Sequence, residues 1–328
     1  MWTLGDHPAN PHRFVNTGIV KAIAQNEFGD VDVLEYRELP DPPISFDQVL
    51  VEVRAAGVNP VDRLVRQGLA AGALPHHFPL VPGWDVAGVV RAVGSAVDGF
   101  AVGDEVFGYQ RKDHVQHGTY AELVAAHERG LAHKPESLSF VEAGGLALAG
   151  LTAVQALRKV RVSAGDTVLV HAAAGGVGHL AVQIAQALGA ARVVGTASPR
   201  NHDFLRSLGA EPVAYGDALV DNVAEAVGGD GRVDVSFDCV GGPAVEDSVA
   251  LTREPGRIVS IVDANVAALG GVYAYAKPVA EDLRWLAGQV DAGALRVEVQ
   301  RTFPLERAAD AQRLLEGGHV RGKVVLTV

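Results

Sequence analysis

A continuous apolar run, Thr167–Ala173 (TVLVHAA), leads directly into Ala174-Gly175-Gly176-Val177-Gly178, and helical spacing follows over His179–Leu188 until Gly189 stops it. An apolar run without alternation suits a strand buried on both faces of a parallel sheet. Gly176, Gly178 and Ala181 fit the pattern G-x-G-x-x-A, whose small residues let a chain turn sharply from strand to helix. At such a turn the first N–H groups of the helix, and the positive end of its dipole, face a pyrophosphate. The bare pattern is common; a buried strand before it and a helix after it make it specific. This segment commits the chain to an α/β fold with a doubly wound, Rossmann-type parallel sheet.

The neighbouring sequence agrees. Arg192–Ala197 reads as the next strand, Asn201–Leu208 as a helix stopped by Gly209, and Val233–Val240 and Arg257–Val262 as two further strands. Before about Glu142 the pattern differs. Gln48–Ala56 alternates apolar and polar residues, and Asp85–Val93 is a second strand with an internal glycine. Gly83, Gly94, Gly99, Gly103 and Gly108 punctuate this part, as in a small barrel-like β domain. After about Gly293 the β pattern returns, with strands at Leu295–Phe303 and Lys323–Val328 around a helix at Leu305–Glu316. A chain of 328 residues can hold two cores. The expected division is a flexible lead-in at 1–17, a discontinuous β domain at 18–145 and 294–328, and a nucleotide-binding domain at 146–293.

The end of the second strand of a dinucleotide fold selects the cofactor, because an acidic residue there accepts bonds from the ribose hydroxyls of NAD. Here it reads Gly195-Thr196-Ala197-Ser198-Pro199-Arg200-Asn201, with no carboxylate. Ser198 can donate to a 2′-phosphate and Arg200 adds a charged fork of donors, so the pattern points to NADPH. The acidic balance, 28 basic against 39 acidic residues, argues against nucleic acid or an anionic membrane as a partner. The single cysteine, Cys239, cannot form an internal disulfide. No uninterrupted apolar run is long enough to span a bilayer, and residues 1–17 lack the apolar core of a signal peptide. The expected location is the cytoplasm. Cys239 lies in an apolar strand and reads as a buried, inert thiol. His114 and His117, with His76, His77, His127 and His133 close in sequence, read as exposed loop histidines.

These features join others in a resemblance. The segments Gly57-Val58-Asn59-Pro60-Val61-Asp62, Pro82 to Gly88, Gly103 to Gly108, Gly118 to Glu122, the Gly175 cradle and Gly318 to Leu326 resemble the zinc-independent medium-chain dehydrogenase/reductase superfamily, in its quinone oxidoreductase (zeta-crystallin-like) branch. The resemblance runs over nearly the whole chain from Lys21. It implies a GroES-like catalytic domain, a Rossmann domain, and a cleft holding NADPH for hydride transfer to a quinone or enone. It further implies that Asn59 lies beside the nicotinamide and that Thr152 touches the cofactor. Ala174, Gly175, Gly176, Val177 and Gly178 then hold the pyrophosphate, Ser198 and Arg200 meet the 2′-phosphate, and Tyr215 packs by it. Val240, Ile261 and Val262 fall at strand ends along the nicotinamide, where core packing explains them equally well. A homodimer is implied, paired through Rossmann edge strands, for which Val266–Ala276 is the candidate.

Two departures matter. Many members carry a Tyr where this chain has Leu64, which cannot donate a proton. Asn59 is therefore the group expected to orient or polarise, with the proton taken from water and no role for Tyr109 or Tyr120. Zinc-dependent relatives use a Cys and a His-Glu pair where this chain has Val58 or Asn59, and Trp84 and Asp85. Substrate is expected among the loops Asn59–Leu74, Tyr109–Thr119 and Val266–Tyr275. The competing reading is an NADPH-binding scaffold with vestigial catalysis. A structural zinc lobe needs about four thiolates and the chain has one cysteine. Elemental analysis of protein purified without chelator should therefore find far less than one zinc per chain.

Overall fold

The computed structural model describes residues 18–328; the lead-in expected at 1–17 lies outside them. The alternating strand at 48–56 runs on to Val58 and forms the spine of the first sheet. Asp85–Val93 pairs with one edge of it, antiparallel. Along the other edge Leu123–His127 pairs with its first half and Lys323–Thr327 with its second. With Glu105–Tyr109, Leu131–His133 and Val299–Pro304 these strands make a seven-stranded sheet. The strands after residue 293 thus rejoin the first sheet. The helix between them begins as a 3-10 turn, Leu305–Arg307, and continues as Ala308–Glu316.

The second sheet has six parallel strands in the spatial order Glu211–Val213, Arg192–Thr196, Thr167–Val170, Val235–Asp238, Ile258–Ser260 and Val272–Tyr273. The order reverses between Thr167–Val170 and Val235–Asp238, so a crevice opens at their carboxyl ends. Leu169, Val194, Val235, Phe237 and Ile258 are fully buried, as strands covered on both faces require.

The strands are shorter than their apolar runs, for local reasons. Thr167–Val170 stops early because Ala172 takes a positive φ of 50° and turns the chain, its N–H donating to Thr196 Oγ1 at 3.0 Å. Val235–Asp238 ends on a carboxylate that accepts the N–H groups of Val240 and Gly241 at 2.8 and 3.0 Å and the Ser260 hydroxyl at 2.6 Å.

The helix Phe140–Lys159 joins the sheets. A reciprocal cap starts it: Ser139 N–H donates to Glu142 Oε2 at 2.9 Å, and Glu142 N–H donates to Ser139 Oγ at 3.3 Å. By length and mean composition this helix is apolar enough to cross a membrane, although Glu142, Thr152 and Gln155 break its apolar run. Its most apolar stretch is 67% buried inside the protein, against the spine strand and the helix Gly178–Ala187. A Cβ on Gly57 would sit 2.4 Å from Gly144 O, so only glycine lets this helix approach the spine.

One buried imidazole ties the phosphate turn to the returning tail. His179 Nδ1 lies 2.9 Å from Gly175 O, and Nε2 accepts the Glu298 N–H at 3.2 Å, which assigns the neutral ring with hydrogen on Nδ1. Burial pushes its pKa down to about 4, with Lys323 and Arg296 adding to the effect against the bonds to Gly175 and Gly176. Burial likewise pushes His171 down to about 4, opposed by Asp238. An unfolded histidine titrates near about 6.5. Between these values the unfolded chain binds more protons, so stability rises with pH. The contribution of each ring is complete above pH about 6.5, is lost as pH falls toward 4, and is on the order of 3 kcal/mol. Melting temperature should fall across that window, and the fall should be shallower in His179→Gln.

Candidate cofactor and active site

The turn after Thr167–Val170 is shaped by contact. A Cβ on Gly178 would lie 2.2 Å from Ala172 O, so the first residue of the helix Gly178–Ala187 must be glycine. The N–H groups of Gly176, Val177 and Gly178 have no partner among the described residues. Three free donors at a helix N-terminus suit an anion. Beside them opens a cleft of about 690 Å³. Ala174, Gly175, Ser198, Arg200, Tyr215 and Val240 line it, so the structure brings six of the expected cofactor residues together. Arg200 is exposed, and among the described residues no carboxylate pairs with it. Two carboxylates, Asp217 and Asp247, also border the cleft.

Val240 and Val262 are 57% and 52% exposed, so core packing does not explain them. They and the half-buried Ile261 stand at the carboxyl ends of Val235–Asp238 and Ile258–Ser260. Thr152 does not line the cleft; its hydroxyl donates to Leu148 O at 2.7 Å, one turn back in its own helix. Gly176 is covered by the tail instead of open to the cleft: a Cβ there would lie 3.2 Å from Lys323 Cδ.

That tail supplies residues the sequence reading left without a role. His319, in the left-handed conformation at φ 63°, and Val320 form one wall of the cleft. Gly322 N–H donates to Ala174 O at 2.8 Å, clamping the tail to the turn. Next to it, Lys323 is buried with its ammonium bonded to Asn59 Oδ1 and 3.5 Å from Asp85 Oδ2. A lysine opening the apolar strand KVVLT was the available signal.

Asn59 sits at the centre of this cluster. Its Nδ2 donates to Asp85 Oδ2 at 2.8 Å and to Gly57 O at 3.3 Å, while Oδ1 accepts from Lys323. Both amide hydrogens are used, so the expected polarising role lacks a free donor; Asn59 is a tether. It borders a separate cavity of about 190 Å³. The other Asp85 oxygen accepts the Leu148 N–H at 2.6 Å. Burial pushes the Asp85 pKa up, with Lys323 as the main opposing influence. Asp62 Oδ2 accepts the Asn59 N–H at 2.8 Å and the Tyr120 hydroxyl at 2.7 Å, fixing the start of the helix Pro60–Arg66. Burial raises Asp62 to about 7 against both bonds.

Tyr109 is only 1% exposed and stacks edgewise on Trp84, and Tyr120 is committed to Asp62, so neither hydroxyl is an open acid. The loops 109–119 and 266–275 do meet: the Arg111 guanidinium lies 6.0 Å over the Tyr275 ring, with its Nε buried and unpartnered. The histidine reading needs correction. His117 lies in a short strand, Val115–His117, paired with His76–Val81, and is half-buried; His114 is exposed and stacks on His77 at 5.7 Å. Among the described residues no three His, Cys, Asp or Glu side chains are grouped to hold a metal. Cys239 is half-buried, and burial with the neighbouring Asp238 pushes its thiol pKa well up.

A parallel six-stranded sheet with a phosphate turn, joined to an antiparallel sheet whose tail closes that turn, defines a nucleotide-dependent dehydrogenase architecture. Residues 45–136 match the alcohol dehydrogenase GroES-like domain and residues 208–326 match a family described as zinc-binding dehydrogenase, although this second stretch holds only Cys239 as a thiol. The chain is 37% identical over 316 residues to an NADPH-dependent alkenal/one oxidoreductase of Arabidopsis thaliana, covering 94% of this chain and 79% of the relative. Identity is 36%, with the same coverage, to a 2-methylene-furan-3-one reductase of Solanum lycopersicum. The solved quinone oxidoreductase of Coxiella burnetii superposes with a TM-score of 0.83 at 38% identity, covering 95% of this chain and all of that one. The chain belongs to the medium-chain dehydrogenase/reductase superfamily, in its quinone oxidoreductase branch, and is an oxidoreductase.

Removing the Lys323 cation leaves the Asp85 carboxylate buried and unpaired, which costs about 3–5 kcal/mol. Lys323→Met should lower the melting temperature sharply, and the double variant Lys323→Met with Asp85→Leu should recover part of the loss.

Proposed function

We propose that this chain reduces quinones or α,β-unsaturated carbonyl compounds with NADPH, without zinc. The carrying observation is the cleft at the sheet's switch point, lined by Ala174 and Gly175 of the turn together with Ser198 and Arg200. The cradle residues Ala174, Gly175, Gly176, Val177 and Gly178 would seat the pyrophosphate, Ser198 and Arg200 the 2′-phosphate, and Tyr215 the adenosine end. Val240, Ile261 and Val262 would flank the nicotinamide ring, with Thr152 shaping the adjoining helix. Bound NADPH would supply the hydride. Asn59, held by Lys323 and Asp85, fixes the catalytic wall in place. The metal positions of zinc-dependent relatives hold Val58, Asn59, Trp84 and Asp85, and the Asp85 oxygens are already engaged by Asn59 and Leu148. An isolated carbonyl needs strong polarisation, whereas a conjugated acceptor spreads the developing charge itself. With Tyr109 and Tyr120 enclosed, the proton comes from water.

The same reading divides the chain into a catalytic domain at 18–145 with 294–328 and a cofactor domain at 146–293. It places a homodimer contact on the edge near Val272–Tyr273 and the protein in the cytoplasm. The named relatives support reduction over a vestigial scaffold.

NADPH consumption should be rapid with 9,10-phenanthrenequinone or an enone, and ethanol should not be oxidised with NADP. Robust ethanol oxidation, or cofactor binding with no turnover on any conjugated acceptor, would overturn the proposal. Loss of one charge-assisted hydrogen bond costs about 1.5–3 kcal/mol. Arg200→Ala should weaken NADPH by that amount and leave NADH nearly unchanged; equal weakening of both would remove the 2′-phosphate assignment.

A further inference from the structure

A second cavity lies apart from the cofactor cleft. It has a volume of about 730 Å³, lies on the first sheet, and shares no lining residue with the cleft. His114, His117 and His127 border it. They do not make a metal site. What distinguishes the cavity is Lys112, which is 8% exposed in its wall. Its ammonium donates to one partner, His117 O, at 2.8 Å, and no carboxylate pairs with it among the described residues. Two of its three N–H donors are left over. A buried cation without a counter-ion is costly, and an anion that reaches it gains a charge-assisted hydrogen bond.

The surrounding groups do not supply that anion. His127 Nε2 lies 3.1 Å from Gln48 Nε2, which donates to it, and its Nδ1 is 3.5 Å from Asp47. Asp47 is largely exposed and turned to that ring. Burial pushes the pKa of His127 down, with Asp47 opposing and Arg129 and Lys112 assisting. Burial also lowers His117, assisted by Lys112 and His114. Both rings are therefore neutral near pH 7. Beyond the amine, Ile44, Phe46 and Val93 give the cavity an apolar wall.

We propose that this cavity is a second ligand site, which takes a small organic oxyanion by its head at Lys112 and packs the apolar body against Ile44, Phe46 and Val93. The neutral imidazole of His117 and the amide of Gln48 stand as further polar contacts. Carboxylate and phosphate heads share the required chemistry, and affinity separates them. Desolvation holds the empty site's Lys112 at about 8, so an anion that needs the ammonium binds with proton uptake above that pH and weakens as pH rises through it.

Isothermal titration of the full chain with benzoate and with inorganic phosphate tests this. Benzoate should bind saturably and more tightly than phosphate, which lacks an apolar body. Saturating NADPH should leave the benzoate affinity unchanged, and Lys112→Met should weaken it about 10- to 100-fold, the value of one charge-assisted bond. At pH 9 the heat should depend on the buffer's ionisation enthalpy, reporting proton uptake. Should Lys112→Met fail to fold, reductive methylation of Lys112 in the unaltered protein should slow in saturating benzoate. No saturable binding of either anion, competition with NADPH, or unchanged affinity or methylation would overturn the site.

Discussion

Lys323 and Asp85 bury opposite charges where four parts of the chain meet. Lys323 comes from the returning tail, Asp85 from the second strand of the first sheet, and Asn59 from the end of the spine strand; the Leu148 N–H comes from the helix entering the second sheet. Neither charge tolerates such burial alone, so the cluster forms only when all four parts are in register. The Lys323 stem also covers Gly176, which places the tail against the phosphate turn. The phosphate turn and the first sheet are thus fixed to one another by a polar knot as well as by apolar packing.

The tail makes the candidate cofactor site a product of the middle of the chain and its returning end. Gly322 closes on Ala174, Glu298 closes on His179, and His319 walls the cleft. A nucleotide-binding turn read from residues 167–189 alone is open on this side. The contacts also explain why His179 stays neutral: its Nε2 must accept from the Glu298 N–H, which a protonated ring cannot do.

Much of the fold was legible because its signals are local. Gly176, Gly178 and Ala181 stand between an apolar run and a helix, and Ser198 and Arg200 follow the next strand directly. The structure places Ser198 and Arg200 on the cleft, and Gly178 in a contact that no side chain tolerates. Strand ends were less legible. Ala172 turns and Asp238 captures neighbouring N–H groups, and neither event leaves a mark on hydrophobic periodicity. In the entry helix two glycines admit other segments, Gly144 the strand at Ala55 and Gly150 the side chain of Leu286, which the sequence pattern does not show. The histidines were misread as a loop because the pairing of Val115–His117 with His76–Val81 spans some forty residues of chain.

Sequence by itself determined the class of fold, the phosphate turn and the charge that Arg200 brings to the cleft, since each depends on residues within one strand-turn-helix unit. Tertiary structure alone decided what Asn59 does. Its amide could have pointed a donor at substrate; Asp85, Gly57 and Lys323, from 26 to 264 residues away apart from Gly57, use both its hydrogens and its oxygen. It likewise decided that Lys112 borders one cavity with Ile44, Phe46 and Val93. Hydrogen-bond saturation and the pairing of buried charge are properties of neighbours in space, and no spacing along the chain encodes them.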